Sequence, residues 1–204
     1  MAESLVQVTE GAGKKLHTFS RVIGANTVED EIVLLGHPYE AEYFIDPGAL
    51  AVLATANSHL IQIMAGASLN LYIHRIVGYL SALPAATTNM QFQVRRLSTA
   101  GTGGTAGAIA QLDPGDAAAG ATTQTLPTVK GTEGGFVADA MGIVPNALPT
   151  TMFQPIVFDF DWRAAHLKPL RITAGTANGV CVKNNTALAT ASLLVVASFS
   201  EANF

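Results

Sequence analysis

From Ala49 onward, apolar and polar residues alternate in short runs broken by Gly, Asn, Thr and Pro, the period-two pattern of strands with one buried face. Strands are expected at Ala49 to Thr55 and His59 to Ala65, joined as a hairpin by Ala56-Asn57-Ser58. In the next run Leu69, Leu71 and Ile73 point one way and Asn70, Tyr72 and His74 the other, whereas beyond Arg75 the apolar Ile76 and Leu80 fall on the opposite parity. Such a change of phase predicts a β-bulge near His74-Arg75. Met90, Phe92 and Val94 then alternate with Gln91, Gln93 and Arg95. Ile156, Phe158, Phe160 and Trp162 face in against Val157, Asp159 and Asp161. Leu170 with Ile172, Val180 with Val182, and Leu193, Val195 and Phe199 complete the inward set.

The sum is roughly eight to ten short strands without a long amphipathic helix, which predicts an all-β fold, an antiparallel β-sandwich of jelly-roll or Greek-key topology. No fixed period recurs, which disfavours a propeller or solenoid. Residues 1–30 read as an N-terminal arm, its start at Met1 to Lys15 small and polar, and 31–204 as a single sandwich domain. Around His37-Pro38, Glu31 to Leu35 and Tyr39 to Phe44 fit edge strands or one small helix. Two long loops are expected inside the domain. Residues 98–128 are Gly, Ala, Thr, Asp and Pro with almost nothing to form a core, and 131–151 place Phe136, Met141, Ile143, Val144 and Leu148 among glycines and prolines, fit to pack on a sheet edge or a neighbouring subunit.

Composition narrows the task. Hydrophobic residues make up 49% of the 204 and charged residues only 13%, with 19 glycines and 9 prolines. Long surface helices need more charge than this, and a surface so poor in charge suits subunits that cover one another. A net charge of -4, with no basic cluster beyond Lys14-Lys15 and Arg95-Arg96, argues against nucleic acid as a partner. No apolar run spans a bilayer, since Leu69 to Leu80 contains His74 and Arg75, and the first residues do not read as a secretory signal. The single cysteine, Cys181, excludes an internal disulfide and reads as a buried thiol.

No chemical motif survives its context. Thr99 to Gly107, TAGTGGTAG, lacks the Gly-Lys-Ser/Thr and helix of a phosphate loop, and Gly11-Ala12-Gly13-Lys14-Lys15 lacks the strand and hydroxyl residue. Asp159 and Asp161 share a strand face and could hold a hard cation, but no third ligand stands at a diagnostic spacing, and a solvated face explains them. His17, His37, His59, His74 and His166 are scattered singly, so no zinc site or nucleophile–base pair can be built. Asn184-Asn185-Thr186 matches a glycosylation sequon and reads as a turn, and Trp162 reads as core before it reads as a sugar platform. The expectation is therefore no enzyme, with no catalytic, cofactor-binding or metal residue and no cofactor.

The segment Leu170 to Glu201 carries a likeness. Its LRIT strand, Gly/Thr/Asn turn, GVCVKN strand, Ala/Thr-rich turn and closing strand ending Ser-Phe-Ser-Glu resemble the C-terminal part of structural proteins of tailed-bacteriophage particles, namely capsid decoration, cement or head-fibre proteins. The resemblance covers about the last third of the chain. It implies a β-sandwich that forms a homo-oligomer, a trimer, and docks on a lattice of major capsid protein at the virion surface after synthesis in the host cytoplasm. No capsid-binding signature stands in the first half, and contacts are expected from the arm and the two long loops. A different reading is a carbohydrate- or receptor-binding jelly roll using Trp162, Tyr72 or Tyr79 for stacking and Asp159 or Asp161 for hydrogen bonds.

Overall fold

A computed structural model describes residues 18–23, 26–31, 41–47, 49–144, 155–160 and 169–202, and every described element is a strand. The arm Met1 to Lys15 and residues 145–151 of the second expected loop lie outside them. The chain divides into two compact units, Met1–Tyr39 and Glu40–Phe204. In the first, β1 (Thr18–Ile23) and β2 (Asn26–Glu31) form an antiparallel hairpin with Ile23 opposite Asn26.

The second unit is a sandwich of two antiparallel sheets. One contains β3 (Glu42–Asp46), β4 (Ala51–Val52), β6 (Asn70–Ala82), β9 (Ala108–Gln111), β12 (Ile156–Asp159), β13 (Leu170–Ile172) and β15 (Ser192–Ala202). The other contains β5 (His59–Met64), β7 (Thr88–Leu97), β8 (Thr105–Ala106), β10 (Thr122–Thr125), β11 (Glu133–Val144) and β14 (Gly179–Asn184). The connectivity is that of one long ribbon rolled on itself. On the outward run come β3 and β4, then β5, β6 and β7; on the return come β11, then β12 and β13, β14 and β15. Each outward strand pairs with its return partner: β7 with β11, β6 with β12 and β13, β5 with β14, and β3 and β4 with β15. Rolling adds β15 against β6 and β14 against β7. This is a jelly roll.

The alternation sets the inner faces. Met90, Phe92 and Val94 of β7, Val180 and Val182 of β14, and Leu193, Val195 and Phe199 of β15 are buried in one core, with the Phe199 ring stacked 5.2 Å from that of Tyr43. In β12, Phe158 is buried while Val157 and Asp159 are exposed; Asp161 and Trp162 lie outside the described residues. The predicted bulge is present. Ser198 faces Arg75 and the next residue, Phe199, faces Ile73, so His74 is the extra residue that lets Ile73 and Ile76 both point inward.

Three expectations are corrected. Ala49–Thr55 and His59–Ala65 are not a hairpin: β4 pairs with β15 in one sheet and β5 with β14 and β10 in the other, so the Asn57 turn, at φ 58, crosses between sheets. The stretch 98–128 is not a structureless loop, because β8, β9 and β10 lie in it and add strands to both sheets. Its small residues suffice, as these short strands are held by backbone pairing and need few large side chains: on β10, between β5 and β8, Thr123 and Thr125 are buried, as is Ala121 just before it. The irregular stretch from Gly131 is in truth the 12-residue strand β11, whose place at a sheet edge agrees with the expected packing.

Candidate functional site

Residues 98–132 form an insertion at the tip of the ribbon, between β7 and β11, and its anchorage holds the densest polar chemistry among the described residues. The two stems of the insertion are tied to each other by the Thr102–Val129 bridge and by a hydrogen bond from Thr99 Oγ1 to Thr132 Oγ1. They lie across the outer face of the second sheet. This cover buries His59 and Gln62 of β5, which point away from the core, while Met64 on the same face is buried against Leu97 and Cys181.

At the centre of this cover stands Glu133. Its Oε1 lies 3.1 Å from His59 Nε2 and 3.9 Å from Lys130 Nζ; its Oε2 lies 3.1 Å from Lys183 Nζ and 2.9 Å from Arg95 Nε. The Arg95 Nε–H points off the carboxylate, so that contact is charge attraction, while the same guanidinium donates from Nη2 to Gly134 O. Strand register explains the gathering: Lys183 of β14 lies opposite both His59 of β5 and Gln93 of β7, and Cys181 opposite Gln62 and Arg95, placing these side chains on one outward face. Gln62 completes the set. Its Oε1 accepts from Gly101 N at 2.7 Å, which directs its Nε2 to donate to His59 Nδ1 at 2.6 Å, so the imidazole carries its proton on Nε2 and gives it to Glu133.

Burial favours neutral imidazole and lowers the His59 pKa, against the opposing pull of Glu133. Burial alone would raise the Glu133 carboxyl, but the hydrogen bonds from His59 and Lys183 and the charge beside them outweigh it and hold the group below its usual range. The cluster is one carboxylate among three cations and a neutral histidine. His59 is buried with both ring nitrogens occupied and the carboxylate is held by the cations around it, so the chemistry the cluster displays is to fasten the insertion to β5, β7 and β14.

Glycine makes the fastening close. A Cβ on Gly101 would stand 2.5 Å from Val129 O and 2.8 Å from Gln62 Nε2, and Gly103 adopts φ +76, so the first part of the glycine-rich TAGTGGTAG run is backbone laid close on the sheet, and its Thr105–Ala106 is the edge strand β8. A second anchor lies farther along. Glu201 of β15, buried, accepts from Gly120 N at 2.8 Å and Ala121 N at 2.7 Å, and Tyr43 Oη donates to Ala117 O at 3.0 Å. Burial first, then the charges of Glu201 and Asp116, raise the Tyr43 pKa.

The residues singled out by sequence are not brought together. His59 and His74 lie in different sheets, and His74 Nε2 meets Ser200 Oγ at 3.1 Å; His17, His37 and His166 are outside the described residues. Tyr72 is buried, and Tyr79 is half exposed on the outer face of β6. Asp159 stands opposite Arg75, four register positions from Tyr79 and so about 13 Å away along the strands. Of the basic pairs, Arg95 belongs to the Glu133 cluster, Arg96 Nη1 donates to Arg171 O, and Lys14-Lys15 are outside the described residues. Asn184 is no open sequon. It is fully buried, its Oδ1 accepting from Ser58 N and Oγ and its Nδ2 donating to Thr55 O and Thr186 O, which clips the β4–β5 turn to the end of β14. Among the described residues no group of three His, Cys, Asp or Glu could hold a metal ion, and a hollow between the sheets is lined wholly by Leu60, Ile76, Phe92, Phe158, Val182 and their apolar neighbours.

The cluster around Glu133 had no signal in the sequence beyond polar residues interrupting apolar runs, as in His-Leu-Ile-Gln-Ile-Met and Val-Cys-Val-Lys-Asn. Only cross-strand register shows that they meet. What the surface does display is apolar: Phe44, Val52, Tyr79 and Val157 on the outer side of the first sheet, and Val129, Phe136 and Met141 around β11. No protein-family model, curated protein or solved structure matches the chain.

Proposed function

We propose that the protein is a non-enzymatic structural subunit of a phage virion, a homo-oligomer that decorates or cements the capsid through packing of its sandwich. The observation that carries this reading is the contrast between inside and outside. The polar groups of the described site are spent on holding the chain's own insertion, while large apolar side chains stand exposed on the outer sides of both sheets of a chain with only 13% charged residues. Apolar area left in water on a rigid scaffold serves association, at about 25 cal/mol per Å² covered. The phage setting and a lattice of major capsid protein as partner come from the resemblance of Leu170 to Glu201, and a trimer is the order it implies.

The test is reconstitution. Purified protein is mixed with expanded phage capsids that lack their decoration protein, and bound density is sought by electron microscopy. Ordered density at the capsid surface is the expected outcome; protein that stays in solution with every capsid tried overturns the reading.

A further inference from the structure

The sandwich has four sheet edges, and three are short or broken. The first sheet ends at β9, four residues, and at the pair of segments β12 and β13, four and three residues; the second sheet ends at β8, two residues. Its other edge is β11, twelve residues paired to β7 on one side and, among the described residues, to no strand on the other. An edge of this length displays a row of backbone N–H and C=O groups that pair best with another extended strand. The usual protections are thin. β11 has no Lys and no Pro, and its two register shifts fall between Glu133 and Ala138, leaving Ala138 to Val144 in unbroken register with Val94 to Thr88.

We propose that β11 pairs antiparallel with β11 of a second copy of this chain, about a two-fold axis at Met141, joining two six-stranded sheets into one. Length selects the occupant. Against β8, β9, β12 or β13 of a neighbour, β11 would find at most four residues to pair with, and against β1 or β2 six, whereas against itself the whole regular run Ala138 to Val144 finds a match. Charge selects the register. Pairing centred on Met141, the middle of that run, sets Asp139 opposite Ile143, while centring on Asp139 would place two carboxylates face to face. Met141 is 75% exposed, so the residue on the axis has the most apolar surface to bury against its own copy. A two-fold contact of this kind is self-complementary and closed.

The experiment uses the full chain. The wild type should sediment at twice 21.2 kDa or an even multiple of it. Met141→Lys sets two ammonium groups on the axis at an exposed position and should halve that mass with an unchanged circular-dichroism spectrum. Met141→Cys should cross-link two copies within minutes of mild oxidation, at least ten-fold faster than Val129→Cys, an exposed site off the strand; the buried Cys181 contributes no background. A wild type of one or three chains, a Met141→Lys mass equal to wild type, or equal cross-linking at 141 and 129 overturns the pairing. Three chains would do so while leaving the virion reading intact, and failure on capsids with an even-numbered mass would do the reverse.

Discussion

Glu133 concentrates the electrostatics of the second sheet in one carboxylate. Removing its charge leaves Arg95, Lys130 and Lys183 facing one another around a buried imidazole, so Glu133→Gln should cost about 1–3 kcal/mol at pH 7. The acid dependence has a definite sign. His59 is held below its ordinary 6.5, so the unfolded chain binds that proton first and stability falls as pH drops under 6.5. Glu133 is held below 4.5, so its contribution is complete above that pH and is lost as pH falls through the lower folded value. Melting curves from pH 7 to pH 3 should therefore show the gap between wild type and Glu133→Gln closing toward the acid end. A gap that is constant with pH would mean that the carboxylate contributes only packing.

At the scale of the element, the insertion stem behaves as a cover whose fit can be read through the thiol beneath it. Cys181 points outward from β14 yet is buried, and burial pushes its pKa up to about 12. Native protein should thus resist thiol reagents. Gly101→Ala would press a methyl group into Val129 O and lift the stem, raising the labelling rate of Cys181 at least ten-fold before any change in overall strand content. How far the elements were legible follows from where their determinants lie. The closing strands, the wet face of β7 and the bulge at His74 were readable because parity along one strand is a local property. The β4–β5 crossing was not: a turn at Asn57 serves a hairpin and a change of sheet equally well, and only the pairing of β4 with β15 decides. Strands β8 to β11 were hidden for another reason. β8, β9 and β11 are edge strands and β10 stands next to β8; rich in Ala, Gly or Thr, they are held by backbone pairing and by anchors such as Glu201 and Gln62, and such pairing leaves little trace in hydropathy.

For the molecule as a whole, each sheet consists of two halves joined by one strand that comes late in the sequence. β14 lies between β5 with its β10–β8 edge and β7 with β11; β15 lies between β3 with β9 and β6 with β12 and β13. Until both are in place neither sheet is continuous, and the inner faces of β5, β6 and β7 have no cover. Contacts this distant in sequence make for slow folding. They also make the protein divisible. A chain cut in the turn 173–178 should yield a soluble but incomplete large fragment, and a peptide carrying Gly179 to Ala202 should restore the near-ultraviolet signal of Tyr43 stacked on Phe199 when added back. The jelly roll is in this sense a receptor for its own last two strands, and a labelled copy of that peptide would report, by competing for the vacant slots, how firmly the finished sandwich is closed.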